Sequence, residues 1–173
     1  MIKKVLLAIT LLSIIPITSA SAADNGYRYW GYFQAAPKAA TWTMAQTGPS
    51  VNVPDGSVEG WAFTFSSDVL TNAAPPKTLP NFAQVCGAKK AMSGMKRIAV
   101  VIDFGASYLA PKGESPKKSV STCAMVPTNA VGSEILAKVA KLRAAKGLIC
   151  GINSYPAKEC GTPIDTPKQL QKM

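Results

Sequence analysis

At 173 residues, with 19 Lys and Arg against 9 Asp and Glu and no histidine, the chain is basic, with a net charge of +10 at pH 7. The missing histidine removes Ser-His-Asp and Cys-His hydrolases, histidine-based zinc sites and any imidazole general base. The length suits one domain with a substantial core.

Residues 1–22 read as a secretory leader: Lys3 and Lys4 precede an apolar run over 5–15, and Ala20-Ser21-Ala22 forms a small-residue cleavage site. The run is shorter than the roughly 20 residues of a membrane-spanning helix, so no transmembrane anchor is expected after cleavage behind Ala22. Export places the protein outside the cytosol, secreted or at the cell envelope. Cys86, Cys123, Cys150 and Cys160 are then an even set in an oxidising compartment, and two disulfides are expected. None of the four lies in a Cys-x-x-Cys pair, which argues against a redox motif or zinc knuckle. Three connectivities exist. Cys150 with Cys160, flanking a turn-rich segment, and Cys86 with Cys123 are favoured.

The first element is a strand over 27–34, Tyr-Arg-Tyr-Trp-Gly-Tyr-Phe-Gln. Alternation places Tyr27, Tyr29, Gly31 and Phe33 on one face, taken as the core face, and Arg28, Trp30, Tyr32 and Gln34 on the other. Residues 35–52 lack sustained periodicity and form a connection. Pro54-Asp55-Gly56-Ser57 has strong turn chemistry and leads into a second strand over 58–65. There Glu59, Trp61, Phe63 and Phe65 point inward, while Val58, Gly60, Ala62 and Thr64 face a neighbour or solvent. The Pro-rich segment 66–80 is a loop, and Asn81 caps a short helix reaching about Cys86.

The run Ile98-Ala99-Val100-Val101-Ile102, ending at Asp103, reads as a central strand buried on both faces. Residues 107–122 form a polar loop, 123–126 a short strand. A helix is predicted over about 133–146, with Ile135, Leu136, Val139 and Leu142 at helical spacing, Ser133 as N-cap and Gly147 as the stop. Residues 148–152 are a last strand, and the polar tail 162–173 is expected to be disordered. The fold class is α+β: one domain over 23–161, with a mainly antiparallel sheet whose buried strand 98–103 is covered by the C-terminal helix.

Catalytic motifs are missing. No Gly-x-Ser-x-Gly elbow and no phosphate-binding loop occurs, so a non-enzymatic protein is expected, without cofactor or metal. Unconventional carboxylate chemistry would have to use Asp55, Glu59 or Asp103. Asp103 has two readings: a ligand group at a strand end, or the cap of the turn into Phe104-Gly105. Glu59 is expected to pair with Arg28 across neighbouring strands. Trp30, Tyr32, Trp42 and Trp61 either pack in the core or line a cleft for a flat or sugar-like ligand. Arg28, Trp30, Tyr32, Trp61 and Asp103 are the candidate ligand-binding residues. The lysines are dispersed, with Lys89, Lys90, Lys96 and Arg97 around one loop and Lys138, Lys141, Arg143 and Lys146 on the predicted helix. This is no stripe for a nucleic-acid backbone, and attraction to anionic envelope polymer or lipid headgroups fits better.

Together, Tyr-Arg-Tyr-Trp-Gly-Tyr-Phe-Gln, Pro-Asp-Gly-Ser-Val-Glu-Gly-Trp, Arg-Ile-Ala-Val-Val-Ile-Asp-Phe-Gly and Gly-Leu-Ile-Cys-Gly-Ile with Tyr-Pro and Glu-Cys resemble a family of small exported actinobacterial proteins. The likeness spans roughly residues 25–160. Members are encoded beside components of energy-coupling-factor (ECF) vitamin transporters, which implies an accessory role at the envelope and carries no catalytic residues over. The expected function is a binding or accessory module, monomeric, assisting uptake of a small nutrient such as a vitamin or corrinoid. The alternative is a structural envelope protein that contacts anionic wall polymer or a membrane-protein partner, such as an ECF-type transporter component, without a small-molecule ligand.

Overall fold

The computed structural model describes residues 25–171; the expected leader, and residues 172 and 173, lie outside the described residues. In chain order the elements are β1 (Asn25–Ala35), β2 (Thr43–Met44), β3 (Val58–Ser67), α1 (Phe82–Cys86), β4 (Met95–Asp103), β5 (Val120–Pro127), α2 (Gly132–Val139), β6 (Leu142–Ala145), β7 (Leu148–Ile152) and β8 (Thr162–Asp165). The main sheet runs β2-β1-β3-β4-β5, with β8 also on β1, and β6-β7 is a separate hairpin. All pairs are antiparallel except β3 with β4, so the sheet is mixed but mainly antiparallel.

Both faces of the sheet are covered. On one, Trp30, Tyr32, Trp61, Phe63, Phe65, Ile98, Val100, Ile102, Ala124 and Val126 pack with Ile135 and Leu136 of α2, with Ile152 at the end of β7 and with Tyr155 beyond it. On the other, Val58, Ala99 and Val101 pack with Cys86 of α1, and Phe33 and Ala62 pack with Ala73 of the Pro-rich loop. The apolar run of β4 therefore serves both layers, as its unbroken hydrophobicity implies.

The larger core takes the opposite face of β1 from the one expected. Alternation separates two faces but does not rank them when both are apolar. The pairing with β3 ranks them: Tyr32 lies opposite Trp61 and Trp30 opposite Phe63, so these rings share a face. Tyr27, assigned to the core, is 56% exposed. Val58, Gly60 and Ala62 of β3 are buried, because α1 and the Pro-rich loop cover the face that was left open between a neighbour and solvent.

Two further expectations are corrected. The helix predicted over 133–146 ends at Val139, so it lies mid-chain; its second half is strand β6. Ala140 is extended, the Asn153 side chain accepts from the Lys141 N–H at 2.9 Å, and Lys146 and Gly147 both take positive φ (49° and 79°) to form the hairpin turn. Helical spacing over 135–142 was real only to Val139; Leu142 still reaches the same core from a strand. The start also moves. Val131 precedes the helix and its N–H donates to the Glu134 carboxylate at 2.9 Å, so Ser133 is not the cap.

The tail expected to be disordered from 162 onward instead supplies β8, whose residues pair with Asn25–Arg28 of β1. Ile164 and Leu170 pack against the main core, Ile164 from this backbone pairing, which composition does not reveal. Asn81 does cap α1, accepting from Gln84 N at 2.9 Å. Cys86 is joined to Cys123 and Cys150 to Cys160, with Cα separations of 5.1 and 4.3 Å. Among the described residues no cysteine is free.

Candidate functional site

Of the five candidate binding residues, Arg28, Trp30, Tyr32 and Trp61 share one face of the sheet and Asp103 lies on the other. Trp30, Tyr32 and Trp61 are core residues, exposed by 7%, 6% and 1%. Tyr32 stacks on Trp61 with centroids 4.6 Å apart, and Trp30 meets Phe63 and Phe104 edge-on at 5.6 and 5.5 Å. The Trp30 Nε1–H donates to the Tyr155 carbonyl at 3.2 Å. Trp42 is on the far face, donating to Thr78 O at 3.0 Å and covering Gly60 so closely that a Cβ there would lie 2.8 Å from its ring. The four rings therefore line no common cleft. Their area goes into packing.

Arg28 does not meet Glu59. In the β1–β3 register Arg28 is opposite Phe65 and Glu59 opposite Gln34, near the two ends of the ladder. Arg28 instead grips Glu159 with both ends of its guanidinium, Nε reaching Oε2 at 2.6 Å and Nη2 reaching Oε1, while Nη1 donates to the carbonyls of Leu109 and Ala110 at 3.3 Å. It ties two loops to β1. Asp103 follows the turn-cap reading: Oδ1 accepts from Gly105 N and Oδ2 from Lys77 N, both at 2.9 Å. The pocket beside it, about 80 Å³, has room for no more than a few waters.

The most unusual chemistry lies inside the core. Glu59 is fully buried; its Oε1 accepts from the Tyr32 hydroxyl at 2.5 Å, which in turn accepts from Gln34 Nε2 at 2.8 Å. Glu59 Oε2 and Trp61 Nε1 have no partner among the described residues. Burial pushes the Glu59 carboxyl up to about 7, against the opposing pull of the Tyr32 hydrogen bond and the Lys96 charge. Burial, then the Glu59 charge, holds the Tyr32 hydroxyl well above its ordinary range.

Lys96 is also buried and donates three bonds, to Asn52 Oδ1 at 2.6 Å and to the carbonyls of Val53 and Ala130 at 2.7 Å each. Desolvation lowers its pKa, opposed by Glu59 and Glu134. Lys96 thus stands apart from the exposed loop lysines Lys89 and Lys90. Its even spacing with Ile98, Val100 and Ile102 was the available sign that it points into the same core. Glu59, Asp55 and Asp103 form no carboxylate set, since Asp55 is held by Arg97 at 2.7 Å and Asp103 by two backbone amides.

On the surface, a groove of about 460 Å³ runs between Pro37, Lys38, Gly56 and Phe82, floored by the Asp55–Arg97 pair. Arg97 lies 5.4 Å above the Phe82 ring, and its hydrogen bonds to Asp55 lower that carboxyl's pKa. Two more grooves, about 470 and 640 Å³, meet at Met125 and Lys138 along β5, the last strand of the sheet path. Lys89, Lys90 and Met92 border the first, and Glu134 the second.

A family model described as an SCO2322-like domain matches residues 22–165, nearly all of the described fold. No curated protein matches the chain, and no solved structure does.

Proposed function

We propose that this chain, which belongs to the SCO2322-like domain family, is a non-enzymatic module that works outside the cytosol by holding an anionic partner against its surface. The observation behind this reading is the division of labour between residue types. The rings once assigned to a ligand fill the core, whereas Lys89, Lys90 and Lys138 stand exposed around grooves. Of the two readings open from the sequence, surface contact with an envelope partner is therefore preferred over an aromatic nutrient pocket.

Two disulfides fit a compartment that keeps thiols oxidised. Among the described residues no helix is long and apolar enough to cross a membrane. The resemblance to actinobacterial proteins encoded beside ECF-type vitamin transporter components supplies the setting: an accessory at the cell surface for nutrient uptake.

The test uses oxidised protein immobilised and challenged with anionic wall polymer and with detergent-solubilised envelope proteins at graded salt, beside a thermal-shift panel of vitamins and corrinoids. Retention that falls steeply between about 50 and 500 mM salt is expected. Retention indifferent to salt, or tight binding of a small compound that quenches the buried tryptophans, would overturn it.

A further inference from the structure

The free edge of the main sheet carries an inference of its own, which rests on the surface-contact reading above. Gly56 N–H donates to Arg97 O and Ala99 N–H donates to Ser57 O, both at 3.1 Å, so the odd-numbered residues of β4 turn their main-chain groups toward β3. The even-numbered ones must then turn toward β5. Lys96, Ile98, Val100 and Ile102 pair with Val126, Ala124, Thr122 and Val120, which places the inward-bonding groups of β5 on its even residues. Thr128 N–H, donating to Gly94 O at 3.1 Å, continues the same parity.

Ser121, Cys123 and Met125 therefore aim their N–H and C=O groups away from the sheet. No described residue bonds to those groups. Pro127, the next in the series, has no N–H, and its carbonyl is taken by Ala130 N at 3.0 Å, which closes the row at that end.

This row lies along a lined slot. The two grooves meeting at Met125 and Lys138 follow the β5 edge, with Lys89, Lys90 and Met92 on the α1 side and Ala137, Lys138 and Val139 of α2 on the other. The Cys86–Cys123 disulfide ties the middle of the row to α1 and holds the slot in place. The charged groups facing it are Lys89, Lys90 and Lys138, with Glu134 at the far end, where its carboxylate already accepts from Val131 N–H. Opposite an unpaired edge of this kind, an extended chain gains main-chain hydrogen bonds in register, and its side chains reach both flanks.

We infer that β5 is a docking edge for an extended, acidic segment of a partner polypeptide, which adds to the sheet as a further strand. A second copy of this chain fits poorly, because pairing β5 with its own mate would bring two lysine-lined slots together. The described neighbourhood selects acid: three cations flank the edge against one carboxylate that is already bonded.

The experiment measures anisotropy of a fluorescein-labelled decapeptide of alternating Glu and Val on the oxidised protein. Its controls are the same peptide with Lys for Glu, and two versions N-methylated at alternate residues, one for each edge of the added strand. Binding of the Glu peptide is expected, with loss of at least about tenfold in affinity for the Lys peptide. One N-methylated version should bind at least about tenfold more weakly and the other as the parent does, because only one edge of the peptide faces β5.

On the protein side, Met125→Pro removes an outward N–H while leaving the ladder to β4 intact, and should weaken binding by a similar factor. Lys89→Glu with Lys138→Glu should weaken it further and flatten its salt dependence; both positions are exposed and need not disturb folding. Equal binding of both N-methylated peptides, or of Glu and Lys peptides, overturns the strand-addition inference. Salt-sensitive retention of wall polymer without peptide binding overturns it while leaving the broader surface-contact reading standing.

Discussion

The Tyr32 hydroxyl donates to Glu59 at 2.5 Å while the Tyr32 ring stacks on Trp61. The bond fixes one oxygen of a fully buried carboxyl, and it is this burial, against the opposing pull of the bond, that sets the sign of the protein's response to pH. In the fold the Glu59 pKa is raised from 4.5 to about 7. The protonated form is thus preferred when folded, so this group's contribution to stability is fully present below about 4.5 and is lost as pH rises to about 7. Denaturant unfolding at pH 5 and pH 8 should show lower stability at the higher pH, by at most on the order of 3 kcal/mol from this residue. Glu59→Gln should remove most of that difference. An unchanged pH dependence in the variant would show that Glu59 is not its source.

Lys96→Met should cost about 3 kcal/mol, because it strands two buried acceptors, the carbonyls of Val53 and Ala130, and removes the bond to Asn52 Oδ1. It should also move the Glu59 transition to higher pH, since the charge that favours ionised Glu59 is gone. Chemical denaturation across pH checks both effects on one variant.

Removing the Arg28 side chain should leave surface binding untouched and loosen the two loops it ties. A cost of about 1–3 kcal/mol is expected for Arg28→Ala, from the charge-assisted pair with Glu159 and the bonds to Leu109 and Ala110. Limited proteolysis should cut faster around residues 107–118 and 157–161. Hydrogen exchange in the middle of β4 should stay as slow as before.

The disulfides differ in reach. Cys86–Cys123 spans 37 residues and Cys150–Cys160 spans 10. In the chain-entropy view their loss costs about 4 and about 3 kcal/mol respectively. Replacing the first pair with alanine should lower the melting temperature more than replacing the second, all the more because Cys86 is fully buried. Thermal melts of the two double variants, each with the other bridge intact, decide the order.

Much of the sheet was legible in the sequence because β3 and β4 carry strong signals: four alternating inward side chains ending in three rings, and an unbroken apolar run rich in β-branched residues. The disulfide partners and the Asn81 cap were legible too. What alternation alone does not carry is rank and register. Tyr29 and Tyr32 look alike in a strand with rings on both sides, and only the pairing of Tyr32 with Trp61 sends the latter pair inward. Register also separated Arg28 from Glu59.

The helix over 133–146 failed at Ala140 for a different reason: Asn153 captures the backbone of Lys141, twelve residues before it, and a long-range bond overrides local spacing. The burial of Trp30, Tyr32 and Trp61 was not legible because aromatic clustering signals burial and recognition equally well. The docking edge is invisible in composition, since it consists of main-chain groups whose direction follows from parity in a ladder.

One side of β1 is met by two short strands from opposite ends of the sequence, Thr43–Met44 against Phe33 and Gln34, and Thr162–Asp165 against Asn25–Arg28. A polypeptide delivered amino end first, by ribosome or translocon, thus exposes this strand early and receives its last companion only after some 130 further residues have emerged. During that interval the Asn25–Arg28 stretch offers an unclaimed hydrogen-bonding rim, and a holdase that shields it should raise the yield of correctly assembled protein.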